Sequence, residues 1–312
     1  MPAVQREGDL PAMLKVGLHL PEAERITPWR EIADICRTAE AVGFDSLWVP
    51  DHLLYRFPGE EPTGPWECWS VLSAVAAITD RVEIGPLVLC TAFRNPGLIA
   101  KMAAIVDEIS GGRLILGLGA GWHKPEYDAF GFPFEHRFPR FVEAFTIIRT
   151  LLRERRIDFD GRYFTMRDCE IRPFGPRPGG PPLMIGSHGP RMLAETLPHV
   201  DMWNGWYAWT GNTVEGYAAL HAEIDAASAA SGRNPVDIER TLAILLRFPE
   251  ESGPADPRAA VIQGDVEVMA EAVLALGRAG VSHVQVVLEP CTVHTVERFG
   301  RALEIIRAGM SS

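Results

Sequence analysis

Two kinds of segment alternate along the chain. Short apolar runs of strand length lie at Lys15–Leu20, Ser46–Val49, Val82–Leu89, Leu114–Leu118, Leu183–Ile185, Met202–Asn204, Thr241–Leu246 and His283–Leu288. Between them, apolar residues recur at helical spacing over Trp29–Val42, Cys68–Ile78, Pro96–Ile109, Phe138–Leu152, Pro190–Leu197, Val214–Ser231, Asp265–Ala279 and Val293–Ala308. Strands that alternate with helices predict parallel pairing, because a chain that re-enters a sheet in the same direction needs a crossover. The runs are near-continuous Val, Ile and Leu, the pattern of a sheet covered on both faces. Eight such repeats in 312 residues predict an α/β chain closed into a (β/α)8 TIM barrel. Gly43 and Gly280 each stand where a helix must stop before a strand, as helix-terminating glycines do.

Two insertions interrupt the repeat. Leu53–Pro65 follows strand two and is rich in Pro, Gly and Glu, and Ile157–Pro181 follows helix four and reads as a hairpin about Asp160-Gly161 with a Pro/Gly loop behind it. Residues 1–13 carry mixed charge and are expected to be a leader, with residues 14–312 forming one barrel domain.

Composition narrows the partners. Hydrophobic residues make up 47% of the chain and charged ones 23%, enough for a large core. A net charge of −11 repels nucleic acid and anionic membrane, so neither is an expected partner. No apolar run approaches the roughly 18 residues of a membrane span, and the N-terminus lacks the apolar core of a signal peptide. The five cysteines include no C-x-x-C pair, which predicts neither disulfides nor zinc and fits a cytoplasmic protein.

In a parallel barrel the chemistry sits at the C-terminal strand ends and the loops after them. Strand two ends in Trp48-Val49-Pro50-Asp51-His52, strand three in Cys90-Thr91-Ala92-Phe93-Arg94-Asn95, strand four in Gly119-Ala120-Gly121-Trp122-His123, strand five in Gly186-Ser187-His188-Gly189 and strand six in Asn204-Gly205-Trp206-Tyr207. Trp66, Trp69, Trp122, Trp203, Trp206 and Trp209 lie at or just after such ends, where they either pack in the core or wall a pocket for a large flat ligand. His52 is the acid–base candidate, since a histidine exchanges protons near neutral pH. Asp51 beside it is able to raise that pKa or orient the surroundings, although adjacent residues need not touch. Ser187-His188-Gly189 before Pro190 joins small residues to a helix start, which suits a phosphate. Gly117, Gly119 and Gly121 miss the dinucleotide spacing; they admit either a planar cofactor or tight packing. His52, His123 and His188 have no metal-site spacing, so no metal is expected, and Cys90 reads as a buried inert thiol.

Several stretches together resemble the bacterial luciferase-like superfamily: Gly43–His52, Phe93-Arg94-Asn95-Pro96, Ile109–Trp122 and Asp158–Phe164. The likeness runs from about Leu14 to Ala308 and is specific to the superfamily but not to one reaction. It implies a luciferase-like barrel oxidoreductase that binds coenzyme F420 or FMN non-covalently. His52 inherits the role of catalytic acid/base and Asp51 a supporting one. A non-prolyl cis peptide behind the cofactor ring falls at Leu87-Val88. Ser187, His188 and Gly189 match the cofactor phosphate site, and Ala120, Gly121 and Asn204 match positions near the ring or its ribityl chain, with Trp122 beside them. Sugar-phosphate dehydrogenases of the superfamily carry a glutamate where this chain has Trp122, so that reaction is not expected; Glu126 would serve instead only if its loop folds back. The expectation is an F420-dependent hydride transfer to or from a small organic substrate. An FMN-dependent monooxygenase and a non-catalytic flavin-binding barrel are the alternatives, and relatives imply a homodimer.

Overall fold

The structure is a computed structural model describing residues 14–251 and 260–310. The expected leader, residues 1–13, lies outside the described residues. In chain order the strands are β1 (Lys15–His19), β2 (Ser46–Val49), β3 (Glu83–Pro86), β4 (Leu89–Cys90), β5 (Leu116–Gly119), β6 (Arg156–Asp160), β7 (Thr165–Glu170), β8 (Leu183–Ile185), β9 (Met202–Trp206), β10 (Glu239–Arg247), β11 (Ile262–Gln263) and β12 (His283–Leu288). The α-helices are α1 (Trp29–Val42), α2 (Cys68–Ile78), α3 (Pro96–Ile109), α4 (Lys124–Phe130), α5 (Arg137–Glu154), α6 (Pro190–Thr196), α7 (Tyr207–Thr210), α8 (Val214–Ala230), α9 (Val266–Arg278) and α10 (Val293–Met310).

The chain forms two compact units. Among the described residues, the first holds 14–21, 27–48, 186–251 and 260–310, and the second 22–26 and 49–185. In the first, β1 pairs in parallel with β2 on one side and β12 on the other; β12 continues to β10, and β10 to β9. These strands are buried almost throughout, so apolar residues dominate β10 and β12 without alternating, with Thr241, His283 and Gln285 buried among them. Helix α10 packs against both α1 and α9. Helix α1 buries Ile32, Ala33, Ile35, Cys36 and Ala39 and stops at Gly43, whose φ of 102° only glycine adopts without strain and whose N–H closes the last turn on the Ala39 carbonyl. Gly280 has a φ of 96°.

In the second unit β5 pairs in parallel with β4 and with β8, and Ile84 bridges Leu114 in the same sense. The run expected as one strand over Val82–Leu89 is two, β3 and β4, with the cis Leu87–Val88 peptide between them. Helix α3 starts at Asn95, whose side chain accepts the Gly97 and Leu98 N–H groups, and packs on both α2 and α5. The second insertion is the expected hairpin, β6 antiparallel to β7. The first is a loop pinched by a two-way backbone pairing of Tyr55 and Thr63. Helix α4 is not foreshadowed by the hydrophobic spacing, because only Glu126 and Tyr127 of its seven residues are buried.

Candidate active site

Strand β2 runs out at Val49 into Pro50, Asp51 and His52. Asp51 is fully buried, and a buried carboxylate is tolerated only when paired. Arg94 donates to it through both arms of the guanidinium, at 2.8 and 2.9 Å, and the Cys90 backbone N–H donates at 2.8 Å. The free edge of the same guanidinium donates to Glu67, which also caps α2 by accepting from Trp69 and Ser70. Burial raises the Asp51 pKa, and Arg94 opposes this. The carboxylate of Asp51 thus has one definite set of partners. It ties the end of β2 to the end of β4, and its partner is Arg94 rather than His52.

The partner of His52 is Glu126. Its Oε1 lies 3.0 Å from His52 Nδ1, and its Oε2 accepts the Leu53 N–H at 2.9 Å. Glu126 is completely buried, while the His52 side chain keeps 17% of its surface exposed. Burial pulls the His52 pKa down, but the hydrogen bond to Glu126 and the negative charges of Glu22, Glu126 and Asp51 outweigh it, so the value ends above the ordinary 6.5. A neutral His52 that donates Nδ1–H to Glu126 has its lone pair on Nε2, and Nε2 has no partner among the described residues. The ring can therefore exchange a proton with a ligand through one atom, Nε2.

From the sequence, Glu126 is expected at the site only if its loop folds back. That fold-back occurs because α4 begins at Lys124-Pro125, after a four-residue loop from the end of β5 at Gly119, and places Glu126 in its first turn. The signal was the proline: it fits a first helical turn, where its missing N–H costs nothing.

Around His52 stands a wall of rings. Tyr55 lies 4.5 Å away between centroids and Trp122 5.6 Å, and His123, 5.1 Å from Trp122, packs on Phe57 at 5.0 Å. The Tyr55 hydroxyl donates to Glu22, and the Arg56 N–H donates to His123 Nε2 at 3.1 Å. Burial lowers the His123 pKa, as suits a ring that accepts that bond.

The tryptophans divide between the two readings. Trp69 and Trp203 are core residues, at 5% and 0% exposure, whereas Trp66, Trp122 and Trp209 are exposed. The glycines of β5 favour packing. A Cβ at Gly117 or Gly119 would lie 2.9 Å from a Val88 methyl, and one at Gly121, where φ is 71°, would fall 2.1 Å from the Tyr127 hydroxyl. Cys90 is buried, its thiol pushed up to about 12 by burial, as expected of an inert sulfur. Leu87 is buried, and Val88 and Ala120 are partly so.

In the first unit Ser187 and Gly189 precede α6. Among the described residues the Gly189 N–H meets only the Ser187 hydroxyl, at 3.4 Å, and a Cβ at Gly189 would touch that same hydroxyl at 3.9 Å. His188 is exposed, its ring edge-on to Trp209 at 4.4 Å. Asn204 is buried and gives both its N–H groups away, to Thr241 at 2.8 Å and Gln285 at 2.9 Å, leaving its oxygen as the atom open to a ligand. Gln285 Nε2 beside it is buried with no partner.

Residues 11–276 match the model of the luciferase-like monooxygenase family. The F420-dependent glucose-6-phosphate dehydrogenase of Amycolatopsis mediterranei is 35% identical over 244 residues, 76% of this chain and 70% of that protein.

The chain belongs to the luciferase-like monooxygenase family.

Within this luciferase-like family the chain is also similar to the pyrimidine monooxygenase RutA of Cronobacter sakazakii, 33% identical over 174 residues that span 54% of this chain and 50% of that one. Among solved structures, an F420-dependent secondary alcohol dehydrogenase in complex with an F420-acetone adduct superposes with a TM-score of 0.78 at 20% identity, over 94% of this chain and 99% of that one. The shared fold is the (β/α)8 barrel expected from the strand and helix repeat.

Proposed function

We propose that the protein is an F420-dependent oxidoreductase in which His52 exchanges a proton with a small organic substrate. The observation that carries this reading is the single working atom of the site: His52 Nε2 unpartnered, with Nδ1 fixed by buried Glu126. When bound, F420 supplies or accepts a hydride, so the chain is left with position, proton and dryness.

Glu126 holds the imidazole in one tautomer and stabilises its protonated form, so His52 both accepts a proton from an alcohol and returns one to a carbonyl oxygen. Asp51, through Arg94 and the Cys90 N–H, fixes the backbone that carries His52. Tyr55 and Trp122 cover the imidazole and limit water at it. Leu87, Val88, Ala120, Gly121 and Trp122 are the candidates to contact the ring. Ser187, His188 and Gly189 are the candidates for the phosphate, which the Ser187 hydroxyl and the Gly189 amide, joined only by a long 3.4 Å bond, fit. Asn204 is a candidate through its oxygen. The working form in this reading is a cytoplasmic homodimer.

A second reading, an FMN-dependent monooxygenase, draws on the similarity to a pyrimidine monooxygenase. Separate titrations with F420 and FMN decide between them. Tight F420 binding with indifference to FMN is the expected result; the reverse overturns it in favour of the monooxygenase, and binding of neither leaves a barrel without this chemistry. His52→Ala should keep F420 affinity and lose about 10²–10⁴-fold in turnover; unchanged turnover removes His52 from the mechanism.

A further inference from the structure

The surroundings of His52 say which substrates it meets. The charged groups that act most strongly on it are the carboxylates of Glu22, Glu126 and Asp51. Arg94 is engaged by Asp51 and Glu67, and Arg137 by the Gly121 carbonyl and the face of Phe134, 3.9 Å from its guanidinium carbon, while Arg56 on the loop after β2 is exposed. A phosphate or carboxylate brought to His52 Nε2 therefore meets the negative charge of these three carboxylates.

Apolar surface is abundant instead. Trp122 is 56% exposed and Phe57 40%, although large aromatic side chains normally bury most of their area. They are not loose. Trp122 packs edge-on to His52 at 5.6 Å and to His123 at 5.1 Å, and Phe57 stacks along Tyr55 at 6.0 Å. The loop that carries Tyr55 and Phe57 is fastened at four points: by Glu126 at Leu53, by His123 at Arg56, by Glu22 at the Tyr55 hydroxyl, and by the Tyr55–Thr63 backbone pair. Rings held this firmly with open faces form a prebuilt apolar wall, which loses little side-chain entropy when a ligand covers it.

We propose that the substrate is an uncharged, flat aromatic alcohol or its ketone, packed on Trp122 and Phe57 with its oxygen at His52 Nε2. This deepens the F420 reading and rests on it for the reaction alone. In the oxidation the carbinol C–H leaves as hydride to F420, the O–H proton passes to His52 Nε2, and the ketone and reduced F420 are the products; the reduction runs the same steps backwards.

The test is equilibrium binding of acetophenone and of glucose 6-phosphate to the F420-loaded protein, in wild type, Trp122→Phe and Trp122→Ala. Acetophenone is expected to bind at least tenfold more tightly than glucose 6-phosphate, to weaken at least tenfold in Trp122→Ala, and to stay within about threefold in Trp122→Phe. Equal binding of the sugar phosphate, or an acetophenone affinity indifferent to Trp122→Ala, overturns the proposal. F420 affinity read in the same samples separates the two claims. If F420 fails to bind, the cofactor assignment falls, and the ketone titration on the cofactor-free protein still judges the aromatic wall.

Discussion

His52 Nδ1 and Glu126 Oε1 stand 3.0 Å apart across 74 residues of chain, one from the loop after β2 and the other from the first turn of α4. The pair couples the imidazole to a carboxylate that has no exposure of its own. Because the histidine reaches Glu126 through Nδ1, its other nitrogen is the one without a partner among the described residues.

Replacing Glu126 with Gln keeps the shape and a hydrogen-bond acceptor but removes the charge. The His52 pKa should then fall, and the midpoint of the pH–rate profile that reports it should move to lower pH. Losing a charge-assisted bond of about 1.5 kcal/mol corresponds to roughly tenfold in kcat/KM. F420 affinity should not change. A profile that keeps its midpoint would show that Glu126 does not act through His52.

The same contact carries a stability signature. The folded-state pKa of His52 is raised, so the contribution of the pair is fully present below the ordinary histidine value of 6.5 and is lost as pH rises through the raised value. Thermal midpoints of wild type and His52→Gln should be furthest apart in that acidic window and converge towards alkaline pH. A gap that widens with pH contradicts the assignment.

Arg94→Ala strands Asp51, whose side chain is wholly buried, without its bidentate partner. Breaking a buried pair in this way costs about 3–5 kcal/mol, a fall in thermal midpoint on the order of 10 °C. Arg94→Lys keeps the charge but not the planar fork and should fall between the two. Differential scanning calorimetry of the three proteins gives the order directly.

Two glycines with nearly the same backbone test packing against conformation. Gly121 and Gly131 have φ values of 71° and 76°; a Cβ at Gly121 meets the Tyr127 hydroxyl at 2.1 Å and the Cys90 sulfur at 2.6 Å, whereas one at Gly131 meets nothing within 4 Å. Gly131→Ala pays only the backbone cost of about 1 kcal/mol, and Gly121→Ala should cost about 2 kcal/mol more. Equal chemical denaturation midpoints would mean that Tyr127 moves aside freely.

The periodic part of the fold was legible because burial on both faces of a parallel strand writes itself as an unbroken apolar run. The helix ends at Gly43 and the turn of β6 into β7 were legible because each depends on residues adjacent in the chain. Helix α4 was not, since its short exposed surface gives no stripe to read. The break between β3 and β4 follows Gly85-Pro86, a turn-favouring pair that the apolar residues around it masked.

At the candidate site, sequence by itself put His52 and Asp51 at a strand end and marked the chain as luciferase-like, since strand ends and family motifs are local properties. Which carboxylate serves which partner was settled only by tertiary structure: Asp51 turns from its neighbour to Arg94, and His52 reaches Glu126. The reason is geometric. Hydrogen bonds are made by atoms within about 3 Å, and the distance between two side chains is set by how the strands and helices pack, which the spacing of residues along the chain does not encode.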